Sequence, residues 1–233
     1  MITYKDDDLG IISLIRSRNA KQYSFRVKDG ALRVIAPSFV DGRTILKVIE
    51  DNKPALFDLI KKSRAVVTTI GKDFSFENEF ISIKFEETKG RSMVQSPKDG
   101  CYIVLYNEKV DFTSQDVQEK FRKILEVILK DYASYLLPRI AYEVQVRIGK
   151  FCRYVSVTTA RTRWGSCSEK GNVALSCYLL LTNRELVEYV ICHELAHLTH
   201  MNHSEDFWAL VNTYVGGDSR ALREKLKAFR TRF

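Results

Sequence analysis

All four histidines of this 233-residue chain lie within one run, His193-Glu194-Leu195-Ala196-His197-Leu198-Thr199-His200-Met201-Asn202-His203. On a helix, His193 and His197 sit one turn apart on the same face, so two imidazoles can grip one metal ion. Glu194 then points towards a water bound to that ion. Zinc suits the pair, because imidazole nitrogens hold it at roughly 2.0–2.1 Å and a catalytic site uses three protein ligands with one position open. The helix cannot supply the third ligand from its next turns without crowding, so the chain should break and return. His203 stands where it can do so, behind Asn202, which tolerates a left-handed turn. Glu205 is a rival third ligand, although its place after Ser204 suits the first turn of a following helix. His200 is either a fourth ligand, which would close the shell and make the site structural, or a polar residue at the helix end, where a cation is favoured. With an open position the chemistry is hydrolysis: a water of lowered pKa attacks, and Glu194 takes its proton and passes it to the leaving group.

The surrounding sequence supplies the elements that must hold these groups. Thr182 with Glu185 reads as a capping box, and Leu186, Val190, Ile191 and Leu198 give the helix a buried stripe. Residues 172–181 read as a strand and short turn that feed it. That order suits a zincin, whose edge strand can hold an extended peptide by strand addition. Ser204 reads as the N-cap of a helix carrying Phe207, Trp208 and Val211. Upstream, Arg161, Arg163 and Trp164 are placed to approach the cleft, with turn and packing chemistry as their plainer role. Arg163 is the leading candidate to stabilise an oxyanion, with Tyr178 and Tyr214 as weaker ones. Cys192 points about 100° away from His193 on the helix, and Cys167 has no evident partner base.

The run Arg163-Trp164-Gly165-Ser166-Cys167, the strand ending in Leu-Leu-Leu-Thr, the segment Tyr189-Val190-Ile191-Cys192-His193-Glu194-Leu195-Ala196-His197, and Asn202-His203-Ser204 with Phe207-Trp208 together resemble the YgjP-like metallopeptidase family. The resemblance spans about residues 22–228, with its sharpest motifs between Arg161 and Trp208. It implies a zincin-type fold and a zinc-dependent hydrolase site, with His193, His197 and His203 as ligands and Glu194 as base. It implies no particular substrate. The histidine spacing also resembles that of metzincins, from which the chain departs at His200, where those proteins have glycine, and in lacking a methionine turn.

With 45% hydrophobic and 28% charged residues, the composition is that of a folded globule rather than a disordered chain. No basic region followed by an apolar core opens it, and no apolar run reaches about 18 residues, so neither secretion nor a membrane span is expected. The five cysteines are odd in number and lack a CxxC pair, which fits a reducing, cytoplasmic compartment. The net charge of +8 raises a nucleic-acid reading. That excess is spread along the chain, apart from a basic stretch at 220–232 that reads first as an amphipathic helix with Leu222, Leu226 and Phe229 on one stripe.

The expected class is α+β: a β-rich N-terminal lobe over residues 1–110 and a zincin-like catalytic lobe, helices packed on a small mixed sheet, over residues 111–233. Strands are expected at 23–27 and 32–35 around a Lys28-Asp29-Gly30 hairpin turn, then at 80–85 and 102–106 with a loop between them. Short helices are expected from Gly42 and from Pro54. A long helix from about Gln115 carries Val117, Phe121, Ile124, Leu125 and Ile128 on its apolar face and is broken or restarted at Pro138. No internal repeat is visible. The leading function is a zinc metallopeptidase or related amide hydrolase with one zinc per chain and a peptide or protein substrate. The alternative is a nucleic-acid-associated binding protein with a structural zinc site.

Overall fold

Alternating apolar positions open the chain as strands β1 (Ile2–Asp6), β2 (Gly10–Ser17), β3 (Ser24–Lys28) and β4 (Ala31–Pro37), which bury Ile12, Leu14, Leu32, Val34 and Ala36. The structure is a computed structural model that describes residues 2–28, 31–65 and 69–229. Asp41 caps the next helix, α1 (Gly42–Asp51), by accepting from the Thr44 amide at 3.0 Å. That helix and α2 (Lys53–Ala65) add Ile45, Ile49, Leu56 and Ile60 to the same core. Part of the expected Lys28-Asp29-Gly30 turn lies outside the described residues, but the strands on either side pair antiparallel, with Lys28 opposite Ala31.

The chain forms two compact units, Met1–Thr68 and Thr69–Thr231. The second begins with β5 (Ser75–Glu77), β6 (Ser82–Thr88), β7 (Met93–Lys98), β8 (Cys101–Asn107) and the long helix α3 (Gln115–Ile148). It continues through β9 (Tyr154–Thr158), β10 (Gly165–Cys167), β11 (Asn172–Ser176), a 3-10 turn (Cys177–Leu181), α4 (Arg184–Ala196), α5 (Glu205–Val215) and α6 (Ser219–Ala228). The class is α+β. The division between the units falls at 68/69 along the chain, whereas the sequence reading divides it at 110. Aromatic rings tie β5–β8 to α3: Phe85 lies 4.9 Å from Phe121, Phe112 stacks on Phe121 at 5.2 Å, and Tyr102 meets Tyr132 edge-on at 6.2 Å.

Each unit starts with the same four-stranded arrangement, a repeat that the sequence reading misses. The orders are β1-β2-β4-β3 and β5-β6-β8-β7, with the central pair parallel and both outer pairs antiparallel. The likeness extends to single hydrogen bonds. Asp6 Oδ1 accepts from the amides of Asp8 and Leu9, and Asn78 Oδ1 accepts from those of Phe80 and Ile81. The sequence signal is Lys-Asp-Gly at 28–30 and again at 98–100. Apart from these residues the repeats share pattern rather than identity, because what recurs is burial alternation.

The copies differ in one useful way. Asp6 can only accept, and it pairs with Lys53 at 3.5 Å. The Asn78 amide donates to the carbonyls of Leu180 at 2.8 Å and Thr182 at 3.1 Å, and the neighbouring Glu79 accepts from the Arg184 amide at 2.7 Å. The β5–β6 turn therefore grips the start of α4. Replacing Asn78 with Asp keeps the turn but sets a carboxylate against two carbonyls. The expected cost is about 1–3 kcal/mol in urea unfolding, and an unchanged midpoint would count against this role.

Two expectations about α3 and its approach are corrected. The segment expected as a loop between the strands at 80–85 and 102–106 contains β7, an exposed edge strand without apolar alternation, whose register shifts between Gln95 and Lys98, around Pro97. Pro138 neither ends nor restarts α3, which runs 34 residues through it. Proline removes one helical hydrogen bond, at a cost of about 3 kcal/mol. Buried Ala133, Leu137, Ile140, Ala141 and Val144 on either side hold the helix together.

The small mixed sheet expected under the catalytic helices is β10-β11-β9, in which β11 runs parallel to β9 and antiparallel to β10. The sequence reading takes β11 as the edge strand available to a peptide. In the fold β11 is central, with both sides paired, and the edge beside α4 is β10. A strand and the helix after it are adjacent in sequence, but which strand ends up at the edge depends on pairing with distant segments. Among the described residues no helix is long and apolar enough to cross a membrane. All five cysteines are free thiols.

Candidate metal centre

Helix α4 is capped by Asn183, whose side chain accepts from the Leu186 amide at 3.0 Å. The expected cap, Thr182, instead gives its hydroxyl to the Leu179 carbonyl, and Glu185 pairs with Lys225 at 3.1 Å. Leu186, Val187, Val190, Ile191 and Leu195 are buried along the helix and fix its rotation. That rotation points His193 and His197 to the same side, with His197 as the C-cap residue just past the end of the helix. A turn follows, and the chain re-enters α5 through Ser204, which accepts from the Phe207 amide as expected. His203 lies just before that cap and comes back over the other two histidines.

The imidazole nitrogens that His193, His197 and His203 can offer a metal lie within 4.8 Å of one another. Nε2 of His193 and Nε2 of His203 are 3.1 Å apart. Two nitrogens each about 2.05 Å from one tetrahedral zinc stand about 3.3 Å apart, so the spacing fits a shared ion. Nδ1 of His197 meets the His200 carbonyl at 3.0 Å. A proton on that Nδ1 leaves Nε2 as the free lone pair for a metal. His200 thus acts through its backbone, and its ring is outside the cluster. Glu205 is also outside: it is exposed and bonds Arg220 at 2.9 and 3.0 Å. Phe207 stacks on His197 with centroids 4.6 Å apart, and Trp208 lies parallel to His203 at 5.8 Å. These aromatics pack against the histidine rings; sequence reading assigns them only to helix packing.

Glu194 is buried, 6% exposed. Burial pushes its carboxyl up to about 7, with the Arg163 charge opposing the shift. Burial likewise holds His193 neutral, helped by His197, His203 and Arg223, and lowers its pKa to about 3. Gly165 in β10 explains how Glu194 fits. A Cβ there would lie 2.7 Å from both Cγ and Oε1 of Glu194, so only glycine leaves room for the carboxylate. Trp164, Gly165, Tyr189, Val190, His193, Glu194, Arg223, Leu226 and Lys227 line a cavity of about 240 Å³ beside the histidines.

The other candidates separate. Arg163 reaches Glu194 electrostatically, and Trp164 lines the cavity. Arg161 pairs with Glu126 on α3 at 3.3 Å and covers the Tyr178 ring. The Tyr178 hydroxyl donates to the same Glu126 carboxylate, which directs it to α3 instead of the cleft. Tyr214 neighbours Cys192, buried on α4, and does not line the cavity. The Cys167 thiol is pushed up to about 11 by burial and by Glu194, which leaves it a poor nucleophile.

The sequence profile of the YgjP-like metallopeptidase domain matches residues 21–229. The chain belongs to the YgjP-like metallopeptidase family, a family of metal-dependent peptide hydrolases. A search of curated proteins found no match. Among solved structures, the metallopeptidase zymogen of Pyrococcus abyssi abylysin is 22% identical, covers 42% of this chain and 100% of its own, and has a TM-score of 0.37. The metallopeptidase zymogen of Methanocaldococcus jannaschii jannalysin is 20% identical, covers 39% of this chain and 93% of its own, and has a TM-score of 0.35.

Proposed function

We propose that His193, His197 and His203 hold one zinc ion per chain and that Glu194 is the general base of a peptidase. The observation that carries this reading is the convergence of three imidazoles beside a buried carboxyl whose pKa, about 7, suits proton transfer at neutral pH. When bound, zinc supplies a Lewis acid that polarises a carbonyl and acidifies water. Glu194 accepts the proton of the attacking water and returns it to the leaving amine. Arg163, whose charge acts on Glu194, would oppose negative charge developing on the substrate carbonyl. The free edge of β10 offers backbone groups to an extended peptide next to Glu194.

The rival reading, a structural zinc in a nucleic-acid-binding protein, draws less support from the basic C-terminal helix than its composition suggests. In α6, Arg220, Lys225 and Lys227 are paired with Glu205, Glu185 and Glu224.

Elemental mass spectrometry of untagged protein purified without chelator tests the metal site. About one zinc per chain is expected, and His203→Ala should weaken zinc binding by at least about 100-fold, since losing a direct ligand exceeds the 10–100-fold loss seen for groups behind the ligands. No zinc after reconstitution, or full affinity in His203→Ala, would overturn the ligand set. Zinc-loaded protein should cleave mixed peptide substrates and lose that activity on chelation.

A further inference from the structure

The cavity beside Glu194 has a distinctive distribution of charge. Its walls are Trp164, Tyr189, Val190 and Leu226, and one end is formed by Glu194 and His193. Its volume of about 240 Å³ equals several water molecules at about 30 Å³ each, enough for one amino-acid side chain. The other charged lining residues are Arg223 and Lys227, both basic and both from α6. Lys227 bonds Glu224 at 2.6 Å. Arg223 has no carboxylate partner among the described residues, in contrast to Arg220, which Glu205 holds. The Arg223 guanidinium instead lies 5.4 Å from the Trp208 ring, and that ring in turn stacks on His203. A guanidinium placed on an aromatic plate is oriented in advance and keeps its two-pronged donor edge available, an arrangement suited to a carboxylate.

We propose that Arg223 is a specificity-determining residue that binds a carboxylate of the substrate, carried into this cavity next to the bond to be cut. The carboxylate comes from an Asp or Glu side chain or from the free C-terminus of the peptide. The proposal deepens the peptidase reading and rests on it for the location of the scissile bond. Binding itself requires only the cavity. The apolar walls take the aliphatic part of the bound residue, and Arg223 takes its charged end. A lysine or arginine at the same position meets Arg223 and Lys227 and is disfavoured.

The only two tryptophans of the chain are Trp164 and Trp208, one in the cavity wall and the other under Arg223, so intrinsic fluorescence reports occupancy without turnover. The titrants are peptides blocked at both ends that differ only in carrying Glu, Gln or Lys, together with the Gln peptide bearing a free C-terminal carboxylate. They are added to zinc-loaded Glu194→Gln protein, with Arg223 intact, changed to Ala, or changed to Lys. The Glu peptide or the free acid should bind about tenfold more tightly than the neutral peptide, a preference weakened by salt as expected for a partly exposed charge. Which of the two gains identifies the source of the carboxylate. Arg223→Ala should abolish the preference, and Arg223→Lys should retain part of it. Equal binding of Glu and Gln peptides together with no gain from the free acid, or an undiminished preference in Arg223→Ala, overturns the proposal. If the Glu194→Gln protein with Arg223 intact shows the carboxylate preference but the zinc-loaded enzyme with Glu194 cleaves none of the peptides, the peptidase reading fails and the anion-binding role of Arg223 stands.

Discussion

Glu194→Gln is expected to leave one zinc on each chain while lowering peptide hydrolysis by about 10²–10⁴-fold, the range that a general base contributes. The three histidines that would hold the metal are untouched by the change. The paired measurement is metal content and turnover on the same preparation, and hydrolysis at the wild-type rate would exclude Glu194 as the base. A second consequence concerns the metal-free protein. Burial raises the Glu194 pKa from an ordinary 4.5 to about 7, so between those values the folded state keeps a proton that the unfolded chain releases. The stabilisation is full below about 4.5 and is lost as pH rises through 7. At pH 8 the folded protein therefore carries a buried charge, and Gln, which carries none, should stabilise it by about 1–3 kcal/mol. His193 acts in the opposite sense. Its pKa is lowered from 6.5 to about 3, so its contribution is full above 6.5 and is lost as pH falls towards 3. His203 is shifted in the same direction by burial and by His197. The two slopes oppose each other between 4.5 and 6.5. Melting in the presence of chelator should show a steeper loss of stability on acidification in Glu194→Gln than in wild type, and parallel curves would contradict these assignments.

Gly165→Ala should be nearly as damaging to activity while leaving every candidate catalytic and metal-binding side chain present. The new methyl carbon would stand 2.7 Å from Cγ and Oε1 of Glu194 and 2.9 Å from Cδ. The yielding partner is the Glu194 side chain, because β10 is held by its pairing with β11. A displacement of about 1 Å in a reacting group costs about 100-fold in rate. We expect that loss in turnover with zinc content unchanged. Wild-type turnover in Gly165→Ala would show that the carboxylate does not need the space that the glycine leaves. The sequence shows only a glycine between Trp164 and Ser166; the fold puts it in the short strand β10, where the missing side chain marks a close approach.

Spacing along the chain determined most of what the site contains. Two histidines one turn apart, a glutamate beside the first, and a serine cap just beyond His203 are local relations, and the backbone geometry of one helix and one turn converts them directly into positions. The same holds for α1, capped by Asp41, and for the hairpin strands β3 and β4, where residues near in sequence meet. Tertiary structure decided the relations between distant segments. It put β10 rather than β11 at the sheet edge, gave the Tyr178 hydroxyl and Arg161 to Glu126, and carried α3 through Pro138 on a buried face. It also joined β5–β8 to α3 through aromatic packing and to the start of α4 through Asn78, and brought Arg223 of α6 across to the cavity beside Glu194. Helix and turn periodicities act over about four residues, whereas edge position, cavity lining and hydrogen-bond partner depend on which surfaces the folded chain brings into contact.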